Sequence, residues 1–304
     1  MNEISELEIR NNTVLQRLGL QLVRFLKPQI LKCKNSSKEQ FILKFVEKPE
    51  LIAYKDILPL LISKYQSQFK RLILPQLLET DHQTWVLTPF YDGKDYNDLW
   101  NEREAGKIGG IGLNLELSKE MAEVLADFSK LDINSILKIE SVRTIEKFSF
   151  NFTDWFAFFS NRAAEMVNLN LMTDKQIVKA KAILGSGFSQ ESLVLTNGDY
   201  YPRNLINTGE KIVLVDWQGW EADFRTNFVD QLENHIAYAY CHMWFNFAWQ
   251  NNFIKELSKL FKINRNELQK GLLIKSFDLA YGWRYDPLLV AFQLQIFCNA
   301  LQDF

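Results

Sequence analysis

The spacing of apolar and polar positions divides the chain into a strand-rich beginning and a helix-rich remainder. Apolar residues Ile4, Leu7, Ile9, Val14, Leu15 and Leu18 precede Gly19, which predicts a short helix near 12–19 that ends at the glycine. Three β-like runs follow over 20–26, 29–34 and 40–46, with Asn35-Ser36-Ser37 turning between the last two. Pro49 sits at a first-turn position and opens a helix. Residues 72–78 and 84–90 read as two more strands, joined through Asp81-His82-Gln83. The stretch 101–115 carries Gly106, Gly109, Gly110 and Gly112 and reads as a flexible connection. Helical periodicity then takes over. Met121, Val124, Leu125 and Phe128 share one face of a helix over 117–131. Residues 141–185 are helical and rich in phenylalanine, a stripe that is more often core than the lining of a pocket. One helix starts at Asp230, another spans 251–270, and one or two more span 271–302, broken near Tyr281-Gly282-Trp283.

Composition narrows the class. A chain of 304 residues, 47% hydrophobic and 24% charged, describes a soluble globular protein large enough for two lobes. A net charge of −2 gives no basis for a nucleic-acid or membrane partner. Cys33, Cys241 and Cys298 are odd in number and widely spaced, which fits a reduced, cytoplasmic compartment. The polar, acidic residues 1–12 do not read as a signal peptide, and no apolar run is long enough for a spanning helix to be expected. The expected oligomeric state is monomer or weak homodimer. His235 and His242 can share a helix face, but they sit among aromatics, so packing is a better reading than a metal site.

The candidate chemistry lies in residues 192–221, SLVLTNGDYYPRNLINTGEKIVLVDWQGWE. An apolar run leads into the polar turn Asn197-Gly198-Asp199-Tyr200-Tyr201-Pro202-Arg203-Asn204. Two short strands follow, Leu205-Ile206 and Ile212-Val213-Leu214-Val215, around the hairpin loop Asn207-Thr208-Gly209-Glu210. Asp216 stands where the second strand ends. This spacing suits phosphoryl transfer. Asp199 can accept a proton from an acceptor hydroxyl, and Asn204 and Asp216 offer the hard oxygens that Mg²⁺ prefers. Asp and Asn are also common turn formers, so the joint pattern carries the inference rather than either residue.

At these residues the chain resembles the aminoglycoside phosphotransferase and choline kinase-like family. That family's pattern is His-Gly-Asp, then Pro-x-Asn, then a hydrophobic strand ending in Asp-Trp. Asp199, Pro202, Asn204, Asp216 and Trp217 match it, while Asn197 stands where the family has His. The resemblance implies an α+β, protein-kinase-like two-lobe fold. Residues 1–91 would form a small antiparallel-sheet nucleotide-binding lobe, and 92–304 a mainly helical lobe with the catalytic loop and acceptor site. It implies ATP and Mg²⁺ as cofactors and a small-molecule hydroxyl acceptor, aminoglycoside-, choline- or sugar-like. Asp199 would be catalytic, and Asn204 and Asp216 would hold the metal. Lys44 would contact the α/β-phosphates, although alone it could be a solvent-facing lysine on an edge strand. The segment Glu50–Pro59 resembles the Glu-x3-Tyr-x3-Leu-Pro segment of the choline kinase and ecdysteroid-kinase-like branch, which implies Glu50 as partner of Lys44, with Glu47 and Asp56 as alternatives. Thr88-Pro89-Phe90-Tyr91 would be the hinge that meets adenine through its backbone. Asp230 matches loosely a residue that braces the catalytic loop.

The departures imply weaker function. Asn197 should brace the catalytic loop less firmly than His. The first β connection, near Lys27-Pro28, has no glycine, so it lacks a glycine-rich phosphate loop. A catalytically weak or inactive kinase-like binding protein is therefore the alternative. Protein-kinase activity is weaker still, without Asp-Phe-Gly or Ala-Pro-Glu segments. For the acceptor, Glu221, Asp223, Asp230, Glu233 and Asp286 could meet a cationic substrate. Trp217, Trp220, Trp244 and Trp283 could instead cage a quaternary ammonium.

Overall fold

The computed structural model describes residues 12–96, 98–99, 111–145, 149–188, 193–217, 228–243 and 247–302. The chain forms two compact units. One is built from the residues up to Ser67 together with Leu74–Asp92; the other takes Gln68–Ile73 and everything from Gly93 onward.

In the first unit, β1 (Gln21–Lys27), β2 (Ile30–Lys34) and β3 (Gln40–Phe45) form an antiparallel meander. With the later strands β5 (Glu79–Thr80) and β6 (Trp85–Pro89) the sheet order is β1-β2-β3-β6-β5. Its core follows from the two-residue period of a strand. Leu31 and Cys33, Leu43 and Phe45, and Trp85 and Leu87 alternate onto one face and bury Leu15 of the leading helix against it. That helix runs over 12–17, and Gly19 turns out of it at φ +64°.

Helix α1 (Lys48–Ile52) continues through a π-helical turn, Ala53–Ile57, into α2 (Leu58–Tyr65). Pro59 has no N–H to return to the preceding turn, and the Leu58 N–H reaches back to Ala53 O instead. The expected strand over 72–78 does not form as one piece. Pro75 interrupts it. Its first two residues, β4 (Leu72–Ile73), pair with a strand of the second unit. Beyond it lie β5 (Glu79–Thr80) and β6 (Trp85–Pro89).

The second unit holds a four-stranded sheet and a two-stranded ribbon. The first has the order β4-β10-β9-β7, using β7 (Lys94–Asp95), β9 (Leu205–Asn207) and β10 (Ile212–Leu214). The ribbon pairs β8 (Leu193–Leu195) with β11 (Val229–Gln231). Around these stand α3 (Ile111–Phe128), α4 (Ile133–Ile136), α5 (Phe152–Asn168), α6 (Asp174–Leu184), α7 (Leu232–His242), α8 (Phe247–Leu260), α9 (Arg265–Gly282) and α10 (Pro287–Leu301). Helix α3 begins at Ile111, ahead of the expected 117, so Gly112 lies within a helix. The rest of the glycine-bearing stretch lies outside the described residues.

Glu120 of α3 fixes the four-stranded sheet. It accepts hydrogen bonds from Arg71 at 2.8 Å, Tyr96 at 2.6 Å and Asn207 at 3.4 Å. Burial and the Glu120 charge push the Tyr96 phenol far above its ordinary pKa. Helix α9 packs between α7 and α10. Gly271 lets α9 approach closely: a Cβ there would lie 2.9 Å from Glu233 O and 3.0 Å from Ala237 Cβ. Among the described residues, no helix is long and apolar enough to cross a membrane.

Candidate active site

Strand β8 delivers the loop that carries the proposed chemistry. Thr196 still belongs to the ribbon, donating its N–H to Phe228 O, and its hydroxyl accepts from Gly198 N at 3.0 Å. Gly198 has φ +85°, so the chain reverses there and presents Asp199. The 3₁₀ turn Pro202–Asn204 then leads into β9. Hairpin β9–β10 forms with Leu214 opposite Leu205 and Gly209 at φ +101° in its loop.

This architecture brings Asp199, Asn204, Asn197 and the backbone of Asp216 together. Asn204 donates from Nδ2 to Asp199 O and Oδ2, both at 2.9 Å. Its carbonyl accepts from Val215 N at 2.9 Å, which ties it to the residue before Asp216. Asn197 is fully buried and donates to Asp199 O at 3.0 Å and to Val215 O and Asp216 O, each at 3.4 Å. One amide thus spans the Asn197–Asn204 loop and the end of β10. The two longer contacts are weak, and Asn197 Oδ1 is buried without a hydrogen-bond partner. Asp216 adopts φ +61°, a left-handed backbone that Asp tolerates better than most residues but that is still disfavoured.

The two tyrosines after Asp199 anchor the loop. Tyr200 is buried and donates to Met121 O of α3 at 2.6 Å. Burial lifts its phenol well above the ordinary range. Tyr200 also packs on His235, and Tyr201 packs on His242, with ring centroids 5.3 and 4.9 Å apart. The two histidines thus lie on one face of α7 turned to the Asn197–Asn204 loop. Burial drives His235 down to about 3, helped by the nearby Lys275 charge. The same face carries a residue to which the sequence analysis gives no role. Tyr238 donates its hydroxyl to Asp199 Oδ1 at 2.5 Å. The spacing of His235, Tyr238 and His242 marks that face as continuous, but spacing gives no sign of what it meets.

Asp230 of β11 is buried and accepts from Gln231 N at 2.7 Å and twice from Asn234 Nδ2 at 2.8 Å. Burial raises its pKa against the opposing pull of Lys275, whose Nζ lies 3.7 Å away. Its strand pairs with β8, which leads into the Asn197–Asn204 loop.

In the first unit Lys44 lies in β3, opposite Ile30 and Val86. Its Nζ meets Glu50 Oε1 at 2.5 Å, and both side chains are buried. Thr88 is buried in β6. The Phe90 N–H donates to Gln40 O at 3.1 Å, so that hinge donor is engaged by the sheet. Lys32 Nζ caps the Phe90 ring at 3.4 Å. The β1–β2 connection is the tight turn Pro28-Gln29.

Several acceptor candidates have structural duties instead. Trp217 is fully buried, bonds Leu214 O and packs on Phe128. Glu233 accepts from Asn264 N, and Asp286 caps α10 by accepting from Leu288 N and Leu289 N. Of these candidates Trp283 stands near the site, 6.4 Å from His242. Trp220, Glu221, Asp223 and Trp244 lie outside the described residues.

No family model matches the sequence, and no curated protein matches it. Solved structures do. The macrolide 2'-phosphotransferase MphH from Brachybacterium faecium superposes with a TM-score of 0.58 at 13% identity, covering 95% of this chain and 96% of its own. APH(2")-IIia, in complex with GDP and kanamycin, gives 0.57 at 8%, covering 96% and 98%. A choline/ethanolamine kinase family protein from Mesorhizobium loti gives 0.56 at 12%, covering 99% and 95%. Over nearly its whole length, the chain therefore has the two-lobe α+β fold of these phosphotransferases, the fold its catalytic-loop motif resembles.

Proposed function

We propose that this protein is an ATP- and Mg²⁺-dependent phosphotransferase acting on a hydroxyl of a small molecule. The observation that carries this is the hydrogen-bonded knot of Asn197, Asp199, Asn204 and the Asp216 backbone. It holds a carboxylate and two potential metal ligands on adjacent turns of one structure. GDP and kanamycin in APH(2")-IIia support a nucleotide and a small hydroxyl-bearing acceptor.

Asp199 orients the acceptor hydroxyl and takes its proton late in transfer. Asn204 uses Nδ2 on Asp199, which directs its Oδ1 away from that residue. That oxygen and the Asp216 carboxylate are hard donors, a set that fits Mg²⁺, which takes few protein ligands and completes its shell with phosphate and water. Held by Asn204 and Asp216, the ion would supply positive charge to offset that of the transferring phosphate. Lys44, held by Glu50, contacts the α/β-phosphates. Catalysis is then mainly positioning and charge stabilisation.

The glycine-free Pro28-Gln29 turn favours a competing reading, a nucleotide-binding protein with little or no turnover. The test is thermal stability with ATP or GTP, each with and without Mg²⁺, for wild type and Asp216→Ala, followed by an acceptor screen. A Mg-dependent rise in wild type that vanishes in the variant supports the nucleotide site by linkage. No rise with either nucleotide rejects it. Binding without transfer to any acceptor favours the competing reading.

A further inference from the structure

The contact between Tyr238 and Asp199 has no counterpart among the residues the motif assigns. Tyr238 belongs to α7, 39 residues from Asp199 in sequence, and its hydroxyl lies 2.5 Å from Asp199 Oδ1. The other carboxylate oxygen, Oδ2, accepts from Asn204 Nδ2 at 2.9 Å. A carboxylate rotates easily about its last torsion, because that torsion has broad wells. One donor on one oxygen leaves a swing; a donor on each oxygen fixes the plane. A phenol donating to a carboxylate is also a charge-assisted bond, stronger than a neutral one.

Tyr238 is itself held. It is 7% exposed. Its ring packs on His242, one turn along α7, at 4.4 Å, and His242 packs on Tyr201 of the catalytic loop. Lys275 Nζ of α9 lies 5.7 Å from the Tyr238 ring. The hydroxyl is thus delivered by a ring fixed by its neighbours, which is what a supporting group must be to hold another group in place.

We propose that Tyr238 is a positioning residue for Asp199: it fixes the carboxylate plane from the side opposite Asn204, so that the base meets the acceptor hydroxyl in a reactive orientation. This rests on the phosphotransferase reading. Misorienting a base affects the chemical step and leaves nucleotide binding alone. The bland competitor is a buried tyrosine whose hydroxyl simply needs a partner.

A double-mutant cycle separates the two. Wild type, Tyr238→Phe, Asp199→Asn and the double variant are compared by thermal melting, by MgATP binding and by phosphate release from MgATP with water as acceptor. The expected result is folded Tyr238→Phe protein whose kcat falls about tenfold while KM for MgATP stays within about twofold. In the Asp199→Asn background, adding Tyr238→Phe should change kcat no further. Wild-type kcat in Tyr238→Phe, an equal fold loss in the Asp199→Asn background, or a KM that rises in step overturns the inference. So does a Phe variant that fails to fold, because the hydroxyl is then a structural need. Wild type that neither binds nor hydrolyses MgATP rejects the phosphotransferase reading, and this inference with it. That outcome is distinct from an active wild type that is indifferent to Tyr238→Phe.

Discussion

Two of the buried lysine–carboxylate pairs, one chosen from each unit, are made from the same chemical groups and are built differently. Lys44 and Glu50 touch at 2.5 Å, strand to helix, six residues apart. Lys275 and Asp230 stand 3.7 Å apart and come from α9 and β11. Asp230 is surrounded by neutral donors, Asn234 and the Gln231 N–H. Lys275 lies near the Phe150 and Tyr238 rings, at 5.3 and 5.7 Å. A long pair with a hydrogen-bonded carboxylate, set among rings, acts as packing between β11, α7 and α9. The short pair sits on a strand with 9% of the lysine side chain still exposed, and the proposed function gives that lysine a phosphate contact. The two pairs are buried alike and differ in reach: one is closed by direct contact, the other is held at a distance among rings.

The sharpest test removes the short pair altogether. Lys44→Met with Glu50→Leu replaces it by apolar groups of similar size, which for a buried pair is near neutral or stabilising by about 1–4 kcal/mol. The double variant should fold as well as wild type and lose all Mg-nucleotide stabilisation in thermal melts. Retained nucleotide response would make the two pairs alike and remove Lys44 from the proposed site. Next in size, Asp230→Ala removes a carboxylate 3.7 Å from the buried Lys275 ammonium, which should reduce unfolding free energy by about 3–5 kcal/mol in denaturant titration. A loss below about 1 kcal/mol would show that the long pair holds nothing together.

Gly271→Ala probes the helix approach that buries Lys275. The added methyl meets Glu233 O at 2.9 Å and Asn234 Cα at 3.0 Å, so α9 and α7 must part. The expected loss is about 1–3 kcal/mol, offset in part by the better helix propensity of Ala. The smallest effect is in pH dependence. His235 titrates near 6.5 when unfolded and at about 3 when folded, chiefly because it is buried and secondly because of the Lys275 charge. Between those values the unfolded chain binds the extra proton, so stability is full above the window and falls as pH drops through it. His235→Gln should flatten the fall in denaturant midpoint between pH 7 and pH 5; an unchanged slope would assign it to other groups.

Much of the first unit was legible because its core repeats at the strand period. Leu31 and Cys33, then Leu43 and Phe45, stand two apart in their strands and join one cluster, and in β2 burial alternates along the strand. Lys44 and Glu50 are close in sequence, so a local segment could suggest their meeting. The strand expected at 72–78 failed for a reason the sequence did contain, Pro75, and for one it did not, the pairing of Leu72 with Ile212. Trp217 shows the same limit: its position after Asp216 was informative, but its burial against Phe128 was not.

The turn Asn197–Asn204, the hairpin after it and the arrival of Asp216 at its end follow from neighbouring residues alone. Each depends on residues a few places apart: Gly198 and Gly209 at positive φ, Pro202 at the start of a tight turn, and short apolar strand runs. Only the tertiary structure decided what surrounds that loop. Tyr238 reaches Asp199 across 39 residues, Tyr200 reaches Met121 across 79, and Lys275 approaches Asp230 because α9 packs on α7 through Gly271. Local backbone preferences are written in neighbouring residues. Long-range hydrogen bonds are set by which helix faces meet, and a face of mixed polar and aromatic residues does not name its partner.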